Sequence, residues 1–284
     1  MKRCLSCERR FESSTWECPA CGYAPPSAND IPCFAAPLED YGFDPDAFDR
    51  LVELEHGSFW FRSRNRLLVW ALERYFPTAR SFLEVGCGTG YVLEGVHREL
   101  PRLRVVGGEL HARGLEHAAR RMAGVQLLQL DARRIPFDGE FDVVGAFDVL
   151  EHIDDDEAVL AGLRGATRPG GGILLTVPQH PWLWSASDDY GEHKRRYRRS
   201  ELVEKVTAAG FEVRRVTSFV TLLLPPMAIV RLWARVRRPD PFAELTATRA
   251  DSVLERILTV ERSLIERGRD LPFGGSLLLV ATRA

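Results

Sequence analysis

One short run constrains the fold of this 284-residue chain more than any other. A stretch at 81–85 carries Glu84 near its end and passes straight into Gly86-Cys87-Gly88-Thr89-Gly90, after which the pattern turns helical. A strand that empties into clustered glycines and then a helix lets backbone approach a ligand where side chains would block it. Further β-type runs follow at 104–107, 125–129, 141–146 and 172–177, separated by helical stretches. Such alternation predicts an α/β fold, a parallel sheet covered by helices on both faces. After a helix at 200–209, a sixth strand is expected at 211–216 and a last one at 277–281. Ahead of the sheet, Leu67, Leu68, Ala71, Leu72 and Tyr75 recur at helical spacing until Pro77 ends the run, predicting a helix from residue 58 to 76.

The ligand of the glycine turn can be narrowed. Dinucleotide folds require G-x-G-x-x-G, with the last glycine allowing close packing of helix on strand, but Tyr91 occupies that position. Glu109, at the end of the second strand, is placed to accept both ribose hydroxyls of an adenosine, which suits either NAD or an adenosyl cofactor. Asp131, after the third strand and beside Ala132, is placed to accept from the adenine amino group.

With these pieces together, residues 58–217 resemble the class I S-adenosylmethionine-dependent methyltransferases, in particular the branch whose first motif reads E-V-G-C-G-T-G. The resemblance implies that Glu84, Gly86, Gly88 and Gly90 surround the methionine part, Glu109 the ribose, and Asp131 the adenine. It also implies that Phe147 and Asp148 line the cofactor from the end of the fourth strand. The implied architecture is a Rossmann-like seven-stranded sheet of order 3-2-1-4-5-7-6, with the seventh strand antiparallel. Leu150-Glu151-His152-Ile153 fits the same branch, and His152 reads as a structural histidine within a helix-like run rather than a catalyst.

Residues 1–23 form a separate cysteine module. Cys4-x2-Cys7 and Cys18-x2-Cys21, ten residues apart, put four thiolates on two tight knuckles, and Gly22 follows the second pair. The spacing is similar to that of a zinc ribbon. Four thiolates close the coordination sphere, so the metal is expected to be structural zinc. Some rRNA guanine methyltransferases carry such a Cys-rich head as a macromolecule-binding module. Cys87 fills a small-residue slot in the glycine turn, and Cys33 has no reading. Residues 24–45, with five prolines, read as linker or irregular wrap, and 46–284 as the main domain, with inserts at 178–199 and 218–275.

The first insert leaves the carboxyl end of the fifth strand, where open α/β sheets bind ligands. Its chemistry is dense. His180 and His193 are the candidate general bases, since imidazole titrates near neutral pH, and Asp188 or Asp189 could orient one of them. Arg196 and Tyr197 are candidates for holding an anionic or sugar-phosphate acceptor. A blander reading makes the insert a polar lid pinned by buried Trp182 and Trp184. Inserts with a similar leucine-tryptophan-serine, aspartate and H-x-R-R-Y pattern resemble those of bacterial methyltransferases of glycoconjugate pathways. The segment 56–65 belongs to that pattern and is a candidate cofactor cap.

Charge and composition narrow the function classes. A net charge of −2 and a pI of about 6.4 give no global attraction to nucleic acid, so a polyanion site must be a local patch such as 194–199. There is neither an N-P-P-Y run after the fourth strand nor a Pro-Cys nucleophile, which removes two DNA-methylating chemistries. The N-terminus has no apolar core of a signal peptide, so the expected location is cytoplasmic. In 219–238, Ile229, Leu232, Trp233 and Val236 share one helical face and Arg231, Arg235 and Arg238 another, a pattern for peripheral contact with the inner membrane face. The leading expectation is methyl transfer to a small-molecule, glycoconjugate or lipid-linked acceptor. The alternatives are an RNA methyltransferase gripping its substrate through the zinc module, and a non-enzymatic binding protein that keeps a nucleotide fold.

Overall fold

The computed structural model describes residues 1–35, 46–237, 242, 246 and 250–284. The chain opens with two antiparallel ribbons, β1 (Lys2–Arg3) with β2 (Arg10–Phe11) and β3 (Ser27–Ala28) with β4 (Ile31–Pro32). Helices α1 (Asp46–Glu55) and α2 (Phe59–Tyr75) lead to β5 (Ser81–Val85), α3 (Tyr91–Glu99), β6 (Arg104–Glu109), α4 (Ala112–Arg121) and β7 (Gln126–Gln129). Then come β8 (Phe141–Phe147), α5 (Asp156–Ala166) and β9 (Thr167–Pro178). The remaining elements are α6 (Ala186–Tyr190), α7 (Arg199–Ala208), β10 (Phe211–Phe219), α8 (Leu224–Arg237), α9 (Asp251–Glu266) and β11 (Ser276–Arg283).

Seven strands form one sheet in the order β10-β11-β9-β8-β5-β6-β7, and β11 alone runs antiparallel to its neighbours. Counted within this sheet, the order is 3-2-1-4-5-7-6. The four ribbon strands go beyond the sequence expectation, which gives no strand before residue 81.

Adjacent residues of the strands serve opposite cores. Phe82, Val105, Leu127, Val143, Leu174 and Leu278 pack with α2, α3, α4 and α9. Their neighbours Leu83, Val106, Leu128, Val144, Ile173 and Leu277 pack with α5, α7 and the aromatic residues Trp16 and Phe34. Period-two alternation with both faces apolar is what a sheet buried on two sides demands.

Some boundaries differ from the periodicity. β9 starts at Thr167, which pairs with Phe141 across a register shift, and β10 runs to Phe219 because β11 pairs with it that far. Residues 27–35 are not a free linker: Cys33 bridges Gln129 in parallel and the Phe34 amide donates to the Gln129 carbonyl at 2.7 Å. Of the expected two-faced basic helix, the side chains of Leu232, Trp233, Arg235 and Val236, and Arg238 altogether, lie outside the described residues.

Candidate functional site

The carboxyl ends of β5, β6, β8 and β9 bring the glycine turn, Glu109, Asp148 and the first insert to one rim of the sheet. In the turn, Gly86, Gly88 and Gly90 take φ of +74°, +52° and +79°, a region that side chains disfavour. A Cβ on Gly86 would lie 2.4 Å from Cγ2 of Val149, so both conformation and space require glycine there. Glu109 accepts from the Gly88 amide at 2.9 Å, and from the Leu110 and His111 amides at 2.8 and 3.0 Å. Its carboxylate therefore holds the turn and the start of α4 in register.

Glu84 is buried, and its Oε2 has no hydrogen-bond partner. Burial pushes its carboxyl up to about 8, with Arg64 opposing and Glu109 adding to the rise. An orphaned acceptor beside the glycine turn fits the cationic, hydrogen-bonding methionine end of an adenosyl cofactor. Asp131 is engaged by Arg133, whose Nε and Nη2 approach its carboxylate at 2.9 and 2.6 Å, and burial is outweighed so that its carboxyl sits below the usual range. Ala132 is buried beside it. Phe147, expected to line the cofactor, has its ring buried in the core and stacked on Phe82. Asp148 takes φ +57° and pairs with Arg64 at 3.1 Å.

The 56–65 segment does reach the cofactor side. Arg64, 10% exposed, sits by Asp148 and acts on Glu84. Below it, α1 lies across the turn: Thr89 Oγ1 donates to Glu55, which Arg121 Nη2 also meets at 2.6 Å, and Phe48 faces Gly88. Burial raises the Glu55 carboxyl against the pull of Thr89 and Arg121.

On the acceptor side, Asp188 is fully buried and is the hub of the first insert. Arg196 grips it in bidentate fashion, Nε and Nη2 at 2.8 and 2.9 Å, while His193 Nδ1 lies 2.8 Å from Oδ1. Burial is overcome by these partners, and its carboxyl stays well below the ordinary range. An ionised carboxylate only accepts, so Nδ1 of His193 donates to it, and the ring's other nitrogen, Nε2, points away from this bond. The His193 ring meets the edge of His152 at 4.6 Å, and the donor atoms of Glu151, His152 and His193 all lie within 4.8 Å of one another. Glu151 is fully buried, and neither carboxylate oxygen has a hydrogen-bond partner. Burial and nearby Asp148 raise its carboxyl well above the usual range. Burial and His193 lower His152 to about 4, so it stays neutral.

Several expected roles change here. Tyr197 is a core residue: it is completely buried and donates its hydroxyl to Asp156 at 2.6 Å, so it does not contact an acceptor. Arg196 is spent on Asp188 and on the Gln179 carbonyl, and acts as a clamp. His180, at φ +64°, has the rings of Trp182 and Phe273 at 5.7 and 6.0 Å, and burial with nearby Arg196 lowers its imidazole below the usual range. Trp182 is 51% exposed and has the His180 ring at 5.7 Å, and Trp184 donates to Asp189 at 2.7 Å. Glu151 and Arg64 are the residues that sequence reasoning passed over. The signal for Glu151 was present, a lone acid between apolar Leu150 and Ile153.

At the other end of the chain, the four cysteines converge. Sγ atoms of Cys4 and Cys21, and of Cys7 and Cys18, are each 3.7 Å apart, and all four lie within 4.8 Å of one another. The module is docked on the main domain: Arg3 donates to the Pro136 carbonyl, Asp138 to that of Met1, and Trp16 packs on Phe34 and Phe137. It thus borders the loop that carries Asp131 and Ala132.

Residues 83–173 match the family model described as a methyltransferase domain. A ubiquinone/menaquinone biosynthesis C-methyltransferase of Desulfotalea psychrophila is 36% identical over 98 residues, 34% of this chain and 40% of its own. A probable S-adenosylmethionine-dependent methyltransferase of Mycolicibacterium smegmatis is 29% identical over 163 residues, 56% of this chain and 62% of its own. The chain thus spans less than two thirds of either relative. Among solved structures, Haemonchus contortus phosphoethanolamine N-methyltransferase 2 in complex with S-adenosyl-L-methionine superposes with a TM-score of 0.52 at 20% identity, covering 77% of this chain and 52% of that one. The sheet order, the glycine turn with its acidic partners and the matched residues agree, and residues 83–173 are similar to a methyltransferase domain.

Proposed function

We propose that the protein transfers a methyl group from S-adenosylmethionine to a protic small-molecule, glycoconjugate or lipid-linked acceptor, with His193 as general base. The observation that carries this reading is the Asp188–His193 pair at 2.8 Å, set beside the unpartnered carboxyl of Glu151. The backbone of 86–90, Glu84, Glu109, Asp131 and Asp148 would hold the cofactor, which supplies an electrophilic methyl on a sulfonium. Arg196 locks Asp188, Asp188 orients His193, and Nε2 of His193 takes the acceptor's proton as its oxygen, nitrogen or carbon becomes nucleophilic. Glu151, held neutral, donates a hydrogen bond to the acceptor, and neutral His152 packs beside it. The first relative is named for quinone biosynthesis, which supports an apolar acceptor.

The cysteine module is best read as a structural zinc site. Zinc–thiolate bonds of about 2.3 Å put sulfurs about 3.8 Å apart in a tetrahedron, close to the 3.7 Å seen for both pairs. Against the RNA alternative, half of the 194–199 run is engaged within the fold: Arg195 pairs with Asp156, Arg196 with Asp188, and Arg199 with the carbonyls of Val216 and Leu271, while Lys194 and Arg198 are exposed.

S-adenosylhomocysteine formation would be followed with lipid, sugar-nucleotide and RNA fractions. Turnover is expected with the lipid or sugar fraction, and His193→Ala should lower it on the order of 10²- to 10⁴-fold while leaving S-adenosylhomocysteine affinity intact. Turnover with RNA alone, or a fully active His193→Ala protein, would overturn the reading.

A further inference from the structure

Three segments that leave or enter the carboxyl end of the sheet converge beside His180. Residues 179–187 follow β9, 220–231 follow β10, and 271–275 precede β11. They touch: Phe273 and Trp182 flank the His180 ring at 6.0 and 5.7 Å, Thr221 donates to the Phe273 carbonyl, and Arg231 Nη1 reaches the Leu183 carbonyl at 2.9 Å. Helix α8 therefore bridges the other two segments. Its Met227 reaches Gly275, where an added Cβ would meet the Met227 methyl at 3.0 Å.

This convergence leaves large apolar side chains in water. Trp182, Leu222, Ile229, Val230 and Phe273 are 45–69% exposed, and Pro181, Pro225, Pro226 and Pro272 beside them are exposed as well. Five large apolar residues gathered on one rim exceed the scattered exposure a monomer normally shows. The backbone is rigidly backed. Glu261 of α9 accepts from the amides of Val220, Thr221 and Leu222, so Leu222 is held outward by a buried carboxylate rather than left on a loose loop.

The charge pattern says what covers the rim. Residues 178–187 and 271–275 contain no Asp, Glu, Lys or Arg, and 219–238 contain four arginines and no acid, in a chain whose net charge is −2. Apolar tips on one rim, joined in sequence to a run of arginines without an acid, complement an anionic bilayer, with acyl chains under the tips and lipid phosphates at the positive charge. A protein partner would need acidic residues opposite the arginines, and a second copy of this rim would bring arginine against arginine.

We propose that the rim formed by Trp182, Leu222, Ile229, Val230 and Phe273 docks on an anionic lipid surface and presents the acceptor entrance to it. This deepens the reading of the acceptor as lipid-linked, because the rim encloses His180 next to Gln179, whose carbonyl is bound by the Arg196 clamp that holds Asp188.

The full chain would be floated with vesicles of phosphatidylcholine alone and of phosphatidylcholine with phosphatidylglycerol, at low and high salt. Binding is expected on the anionic vesicles, weakened by salt. The triple variant Leu222→Ser, Ile229→Ser, Phe273→Ser should bind at least roughly tenfold more weakly. S-adenosylhomocysteine affinity, measured on the same preparations, should be unchanged and reports the fold and the cofactor site separately from the rim. Absence of vesicle binding by a wild-type protein that still binds S-adenosylhomocysteine would overturn the proposal. Equal binding by the triple variant would do the same, as would a concentration-dependent dimer in sedimentation that this variant dissolves.

Discussion

At the scale of single residues, the site rests on conformations and charges that only particular side chains tolerate. Gly86→Ala places a Cβ against Val149 in a left-handed conformation, and should cost about 1–3 kcal/mol in urea denaturation while weakening S-adenosylhomocysteine binding. Glu84 gives a pH signature. Its folded carboxyl, near 8, lies above the ordinary range, so its contribution to stability is complete in acid and is lost as pH rises through 8. Glu84→Gln should therefore stabilise the free protein relative to wild type at pH 8 and leave it unchanged at pH 4, read by thermal unfolding. If a cationic cofactor group meets Glu84, binding at pH 7 should release a proton, seen as a heat that changes with buffer ionisation enthalpy and vanishes in the variant. For Asp188 and its partners, removing one charge leaves another buried. Asp188→Asn strands the Arg196 guanidinium and should cost about 3–5 kcal/mol, whereas His193→Ala should change stability far less, because the Asp188–Arg196 pair stays whole without it.

At the scale of elements, the cysteine module and the main domain are joined by a segment that wraps on the sheet edge. Periodicity and proline content mark 24–45 as linker or irregular wrap; Phe34 and Cys33 sit on the edge strand β7, and Trp16 packs on Phe137. The module therefore braces the loop from Leu130 to Phe137. Chelation, or Cys18→Ser, should lower the melting temperature and also weaken S-adenosylhomocysteine binding through the adenine side, with hydrogen exchange rising first at 130–137. Protection unchanged there after metal removal would argue for a module independent of the domain. The glycine turn was legible because it depends on neighbours in the chain: strand, positive-φ residues and helix follow one another within ten positions. Tyr197 was misread for the opposite reason. Its place beside charged residues in sequence resembles a surface run, but α7 and α5 pack so that its hydroxyl meets Asp156 in the core.

At the scale of the whole molecule, the strand pattern with both faces apolar determines a sheet covered on two sides, and the acidic residues at its carboxyl edge determine where an adenosyl group fits. The four-cysteine spacing brings four sulfurs together in the same way. All of these are written in contiguous residues, since backbone preference and side-chain period act over a few positions. What only the tertiary structure decided are the meetings of distant segments. Arg64 reaches Asp148, Glu151 faces His193, Arg196 closes on Asp188, and Phe273 joins Trp182 around His180. Such meetings depend on how helices and loops pack across the sheet, and no local pattern encodes which side chain will be left buried without a partner. That is why the methyl donor's place could be read from the chain itself, and the acceptor's surroundings emerged from the packing.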